Sequence, residues 1–154
     1  MKMGIFEWCK TGDLKRIKFN RKVMSRKDVT NCISIAIQYN QLEVLKYFID
    51  CKIYDIDYNE LIINAIFNNN KKIVEYLIPK EKHSLNYPYR YLGACICANN
   101  IELFKLFYSK YNPLTFHSSM IMYAIMHNLI DIIKFLYDKS EEYFLNAISY
   151  SIVY

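Results

Sequence analysis

Glycine and proline are scarce in this chain, with three of each among 154 residues. That shortage excludes a sheet rich in tight turns and favours helices joined by short connections. Gly4, Gly12 and Gly93 are scattered, so no clustered-glycine loop can bring backbone amides around a phosphate. No run approaches the 18 apolar residues of a membrane span, and no leading apolar segment resembles a signal peptide. Gly4 follows Met3, but Trp8 stands where a myristoylation signal needs Ser or Thr, so lipidation is not expected. The five cysteines are odd in number and irregularly spaced, which argues against a secreted disulfide framework. A soluble protein in a reducing compartment is expected, in the cytoplasm or alternatively the nucleus.

What is abundant is apolar side chain. The apolar fraction of 53% is ample for a core and makes disorder a poor default, and the length suits one domain. Fifteen tyrosines, with many Ile, Asn and Lys, fit the bias of an AT-rich genome. The net charge of +5 is unevenly placed. Residues 1–30 hold nine Lys/Arg against Glu7, Asp13 and Asp28, a balance of +6, and the remaining residues balance to −1. Electrostatic arguments therefore belong to the first thirty residues.

The chain repeats itself. Anchored on Gly12, Asn40, Asn69, Asn99 and Asn128, the copies are spaced by 28, 29, 30 and 29 residues. Four residues before each anchor stand Trp8, Ala36, Ala65, Cys95 and Ala124. Two after it stand Leu14, Leu42, Lys71, Ile101 and Ile130; four and five after it come pairs such as Val44/Leu45 and Ile73/Val74. Seven after it stand Phe19, Tyr47, Tyr76, Leu106 and Phe135. Self-similarity at such a period means stacked supersecondary units. Each unit reads as two helices. The first ends at the Asn or Gly anchor, residues that tolerate left-handed backbone. The second opens on an acid (Glu43, Glu102, Asp131) and carries a later lysine (Lys46, Lys105, Lys134), which complements the helix dipole. The small column permits close approach between units.

The pattern Ala-x-x-x-Asn-x-Leu-Glu-Val-Leu-Lys-Tyr-Phe at residues 36–48 resembles the second half of an ankyrin repeat. The likeness runs from about Phe6 to Tyr137. The family's Thr-Pro-Leu-His opening is missing, the equivalent stretches reading Asn31-Cys32-Ile33-Ser34, Glu60-Leu61-Ile62-Ile63, Arg90-Tyr91-Leu92-Gly93 and Ser119-Met120-Ile121-Met122. The period is shorter than the family's ~33 residues, so its protruding hairpin should be trimmed. The resemblance implies an all-α ankyrin-like solenoid in one domain, with about five units near 4–30, 31–58, 59–88, 89–117 and 118–140 and a terminal helix over 141–154. Divergent, AT-biased repeats of this kind look like those of large DNA viruses and some protists. In the first unit Trp8, Asn20 and Arg21 replace small or apolar residues, as a terminal unit with one neighbour allows. The closing segment stays apolar at Leu145, Ile148, Ile152 and Val153, either a face packed on unit five or a contact surface.

Most candidate chemistry falls to the repeat. Cys95 and Cys97 are one residue apart on an expected helix, so their side chains diverge, and no second pair completes a zinc set. Two buried small residues is the reading for them. His127 and Asp131 lie four apart and can share a helix face, but one precedes the anchor and the other fills the acidic column. His83 and His117 fall in connecting segments. No catalytic residue, metal or cofactor is expected, and an enzyme is not.

Two features remain for binding. The basic run Lys10, Lys15, Arg16, Lys18, Arg21, Lys22, Arg26 and Lys27 reads as a solvated outer face, a dock for an acidic protein, or a phosphate contact. The expected connecting loops carry Tyr54, Asp57, Tyr58, Tyr87, Tyr89, Arg90 and Tyr111; Tyr and Arg recur in binding hot spots, and in the resembled family loop tips and the adjacent concave face contact partners. The expected function is therefore non-enzymatic protein–protein interaction, which a viral origin would turn toward a host protein in immune or host-range control. The alternatives are nucleic-acid association through the basic unit, the less expected, and homodimer formation through the apolar terminal helix. No membrane partner is expected.

Overall fold

The computed structural model describes residues 2–51, 56–81, 87–111 and 117–139, with side chains left aside at 2, 3, 87 and 117–119. Every regular element among them is helical. The helices are α1 (Lys2–Thr11), α2 (Leu14–Asn20), α3 (Arg26–Gln38), α4 (Leu42–Asp50), α5 (Tyr58–Phe67), α6 (Lys71–Leu77), α7 (Tyr87–Cys97), α8 (Ile101–Tyr111) and α9 (His117–Met126), followed by α10 over 130–139. Short 3-10 turns, Arg21–Val23 and Ile78–Lys80, extend α2 and α6. The expected terminal helix over 141–154 lies outside the described residues. The chain divides into two compact units, residues 1–84 and 85–154.

Each helix pair is separated by one device. Gly12, Asn40, Asn69, Asn99 and Asn128 all have positive φ, 77° for the glycine and 49–55° for the asparagines. After each of them the next amide donates back to the carbonyl five residues earlier: Asp13 to Trp8, Gln41 to Ala36, Asn70 to Ala65, Asn100 to Cys95 and Leu129 to Ala124, at 2.7–3.0 Å. Each asparagine's own amide donates to the carbonyl three residues back, as from Asn40 to Ile37 at 3.1 Å. This is the Schellman closure, which satisfies carbonyls that the helix end would otherwise orphan. The small column is thus the third residue from the helix end. Ala36, Ala65, Cys95 and Ala124 are fully buried there.

The anchor type is a conformational demand, because left-handed backbone costs an ordinary L-residue about 1–2 kcal/mol. Asn40→Val should therefore lower stability by about 1–2 kcal/mol, while Asn40→Gly should change it by less than about 1 kcal/mol. Urea unfolding followed by circular dichroism separates the two; equal losses would remove the backbone explanation. Gly12 adds a steric demand, since a Cβ there would lie 2.5 Å from the Gln41 side-chain oxygen.

Within the first unit α1 packs on α2 and α3, α3 on α4 and α5, and α5 on α6. Within the second, α7 packs on α8 and α9. Within each unit, first helices therefore stack on first helices, and α1, α3, α5 and α7 each carry the second helix that follows them. The second helices bury matching columns: Val44, Leu45 and Phe48 in α4, Ile73, Val74 and Leu77 in α6, Leu103, Phe104 and Phe107 in α8, and Ile132 and Leu136 in α10. In α2 only Ile17 is buried; Arg16 and Asn20 occupy the other two columns.

Helix starts are set locally. Ser25 and Asp28 form a reciprocal capping box that opens α3. The second pair thus begins at Arg26, several residues before the boundary expected at 30/31, because a cap and not the repeat period sets where a helix starts. Asp13 caps α2, Asp57 caps α5, and the Asn100 side chain accepts the Leu103 amide at the start of α8.

Candidate protein-interaction surface

The basic run folds onto three consecutive pieces: Lys15, Arg16 and Lys18 on α2, Arg21 and Lys22 on the turn after it, and Arg26 and Lys27 in the first turn of α3. All are exposed except Arg21, which is half-buried. From residue 14 to 27 the chain has seven Lys/Arg and no Asp or Glu. Arg16 is partly compensated by Asp13, whose carboxylate lies 3.4 Å from its guanidinium. The face exists because α2 spends its buried columns on Arg16 and Asn20, where the other second helices place apolar groups.

Two apolar side chains stand in the middle of this face. Phe19 is 87% exposed and Val23 is 66% exposed. Phe19 lies in the last turn of α2, and Val23 ends the 3-10 turn that follows it. Phe19 belongs to the column that holds Tyr47, Tyr76 and Phe135 in other copies. There the ring lies under a lysine from the preceding pair: Lys18 is 5.5 Å from the Tyr47 ring centre, Lys46 is 5.8 Å from Tyr76 and Lys105 is 5.5 Å from Phe135. Such contacts are favourable in themselves. They form a ladder that sequence columns alone did not reveal, although each lysine and each ring was legible. Burial, with Asp50, Tyr58 and Glu43 nearby, raises the Tyr76 hydroxyl above its ordinary range.

The tyrosine set is arranged differently from the expectation. Tyr58 opens α5, Tyr89 and Arg90 lie in the first turns of α7, and Tyr111 ends α8, so these residues belong to helices and not to loops. Asp57, counted among the contact residues, accepts the Asn59 and Glu60 amides at 3.0 and 3.4 Å and so starts α5 one residue later. Tyr91 is fully buried, with ring centres 5.0 Å from Phe107 and 6.2 Å from Tyr111, and Tyr111 lies parallel to Phe107. Tyr111 is therefore part of an aromatic cluster at the α7–α8 contact. Arg90 is exposed and Tyr89 half-buried. Tyr54 and the Tyr87 side chain lie outside the described residues, as does His83.

The two small clusters are separate groups. Cys95 is buried and its thiol is pushed up by burial, but Cys97 is exposed, against the expectation of two buried cysteines. Its sulfur lies 3.4 Å from the Tyr123 hydroxyl. Their divergence follows from positions two apart on one helix. Cys9 and Cys32 are both buried, and a side-chain hydrogen bond between them together with burial raises the Cys9 thiol. The His127 ring lies 4.6 Å from the Tyr123 ring, and no hydrogen bond or ion pair joins it to Asp131. Among the described residues no group of three or more His, Cys, Asp or Glu is placed to hold a metal ion, and no helix is long and apolar enough to cross a membrane.

Polar residues just after the anchors were missed as a group. The Gln41 amide donates to the Lys10 carbonyl at 2.8 Å, and the Asn70 amide donates to the Ile37 carbonyl. Each ties a helix pair to the end of the preceding first helix. The signal was available as a polar column one residue after the first four anchors, Asp13, Gln41, Asn70 and Asn100. Its direction across the stack is a tertiary fact. No family model, curated protein or solved structure matches the chain.

Proposed function

We propose that this protein is a non-enzymatic protein–protein interaction module, built as an ankyrin-like solenoid of helix pairs. One observation carries the reading: five positive-φ residues at a spacing of 28–30, each closing a helix by the same backbone hydrogen bond. A chain that spends its sequence on repeating one scaffold leaves its exposed positions free to vary, and stacked repeats present extended binding surfaces. The likeness to repeat proteins of large DNA viruses supports a host protein as the target, with action in immune or host-range control and a cytoplasmic site. That step rests on analogy of fold.

The basic face supports a second reading, association with nucleic acid, whose affinity falls steeply with salt. Affinity capture from a nuclease-treated lysate separates the two. The interaction reading expects a protein recovered at physiological salt and undiminished by nuclease. Recovery of nothing, or loss of every captured protein after nuclease, would remove it. A Tyr89→Ala/Arg90→Ala bait tests the start of α7 in the same experiment; recovery equal to wild type excludes that edge as the contact.

A further inference from the structure

We infer that the face of α2 and its following turn, formed by Lys15, Lys18, Phe19, Lys22 and Val23, docks an acidic protein segment that carries apolar or aromatic side chains. The inference rests on the interaction reading above and names the face and the chemistry of the partner.

Charge selects the partner's sign. Lys15, Lys18 and Lys22 are exposed, and the chain from 14 to 27 contributes no carboxylate to answer them. Asp13 pairs with Arg16 beside the stripe. Lys18 reaches the Tyr47 ring at 5.5 Å, a contact that leaves its charge unneutralised and holds the side chain in place. Acidic recognition by such clusters adds specificity and on-rate.

The two apolar residues select the partner's class. Phe19 and Val23 are open to a partner, at 87% and 66% exposure, on the stretch that carries Lys15, Lys18 and Lys22. Exposed apolar side chains of this kind insert between partner side chains, and anchors desolvated within a charged rim are what hot spots look like. Against a nucleic acid only the Phe19 ring would find a stacking partner, and Val23 would have none. Against a bilayer, burying one Phe and one Val gains less than one buried myristoyl chain, which by itself binds membranes only marginally. The lysines serve all three ligands equally. The pairing of an aliphatic with an aromatic side chain favours protein.

The test uses the full chain and four probes: fluorescein-labelled poly(Glu), labelled poly(Glu,Tyr) of equal length, oligo-dT, and phosphatidylserine-containing vesicles. Poly(Glu,Tyr) should bind about tenfold or more tightly than poly(Glu). Phe19→Ser/Val23→Ser should bring it down to the poly(Glu) level, and Lys15→Glu/Lys22→Glu should abolish both. All four positions are exposed, and circular dichroism checks that the helices persist. Equal binding of the two polymers, indifference to Phe19→Ser/Val23→Ser, or tighter binding of oligo-dT or vesicles would overturn the proposal. The same variants used as capture baits keep the two readings apart. If wild type and Phe19→Ser/Val23→Ser recover the same protein equally, this face is wrong and the interaction reading stands. If wild type recovers none, the interaction reading itself fails.

Discussion

Phe104→Ala is expected to lower stability by about 3–5 kcal/mol, the cost of truncating a fully buried ring. Phe104 lies on the inner side of α8, edge-on to Phe135 at 5.9 Å and 6.0 Å from Tyr108, which itself meets Phe135 edge-on at 5.2 Å. Removing it opens a void between α8 and α10 and forfeits two aromatic contacts that add to its area burial. Urea unfolding by circular dichroism measures the loss, and hydrogen exchange should place the greatest loss of protection in α7, α8 and α10. Phe67→Ala provides the control, because Phe67 is 53% exposed and should cost under about 1 kcal/mol. A Phe104→Ala loss as small as the control's would show that this core is not packed as described.

The second large effect comes from a single buried amide. Asn70 is 8% exposed and donates its side-chain amide to the carbonyl of Ile37, near the end of α3. Asn70→Ala removes that donor and should cost about 1–3 kcal/mol. Asn70→Asp keeps the shape but sets an acceptor against a carbonyl, so it should cost at least as much. Gln41→Ala breaks the equivalent bond to Lys10 where water can replace it, and should cost under about 1 kcal/mol. The ordering of the three variants in urea unfolding is the decisive result. If Asn70→Asp were as stable as wild type, the amide would not be the donor that ties the pairs together.

The anchor column shows how much a sequence can disclose. Positive φ is a demand on one residue's own backbone, and only Gly and Asn meet it cheaply. Gly12, Asn40, Asn69, Asn99 and Asn128 could therefore be read from identity and spacing before any coordinates, and with them the ends of five first helices. Helix starts were less legible, since a cap depends on which of several polar residues turns its side chain toward the free amides. Asp57 and Ser25 did so, and the units begin where they stand. The tyrosines read as loop residues because Asn, Pro and Tyr clusters resemble connections. In the fold Tyr91 is buried against Phe107 within α7, and Tyr111 stacks on Phe107 at the end of α8.

The sequence by itself determined the helical class, the repeat period, the anchor conformation and the concentration of positive charge in the first thirty residues. These follow from local preference or from simple counting. Tertiary structure alone decided which lysine covers which ring, that Asn70 reaches back to Ile37 while Asn100 caps its own helix, and that Phe19 and Val23 stand open among the lysines of α2. Such facts depend on the distance and rotation between neighbouring helices. The columns of a repeat specify which positions face a neighbour, and only packing settles what meets them there.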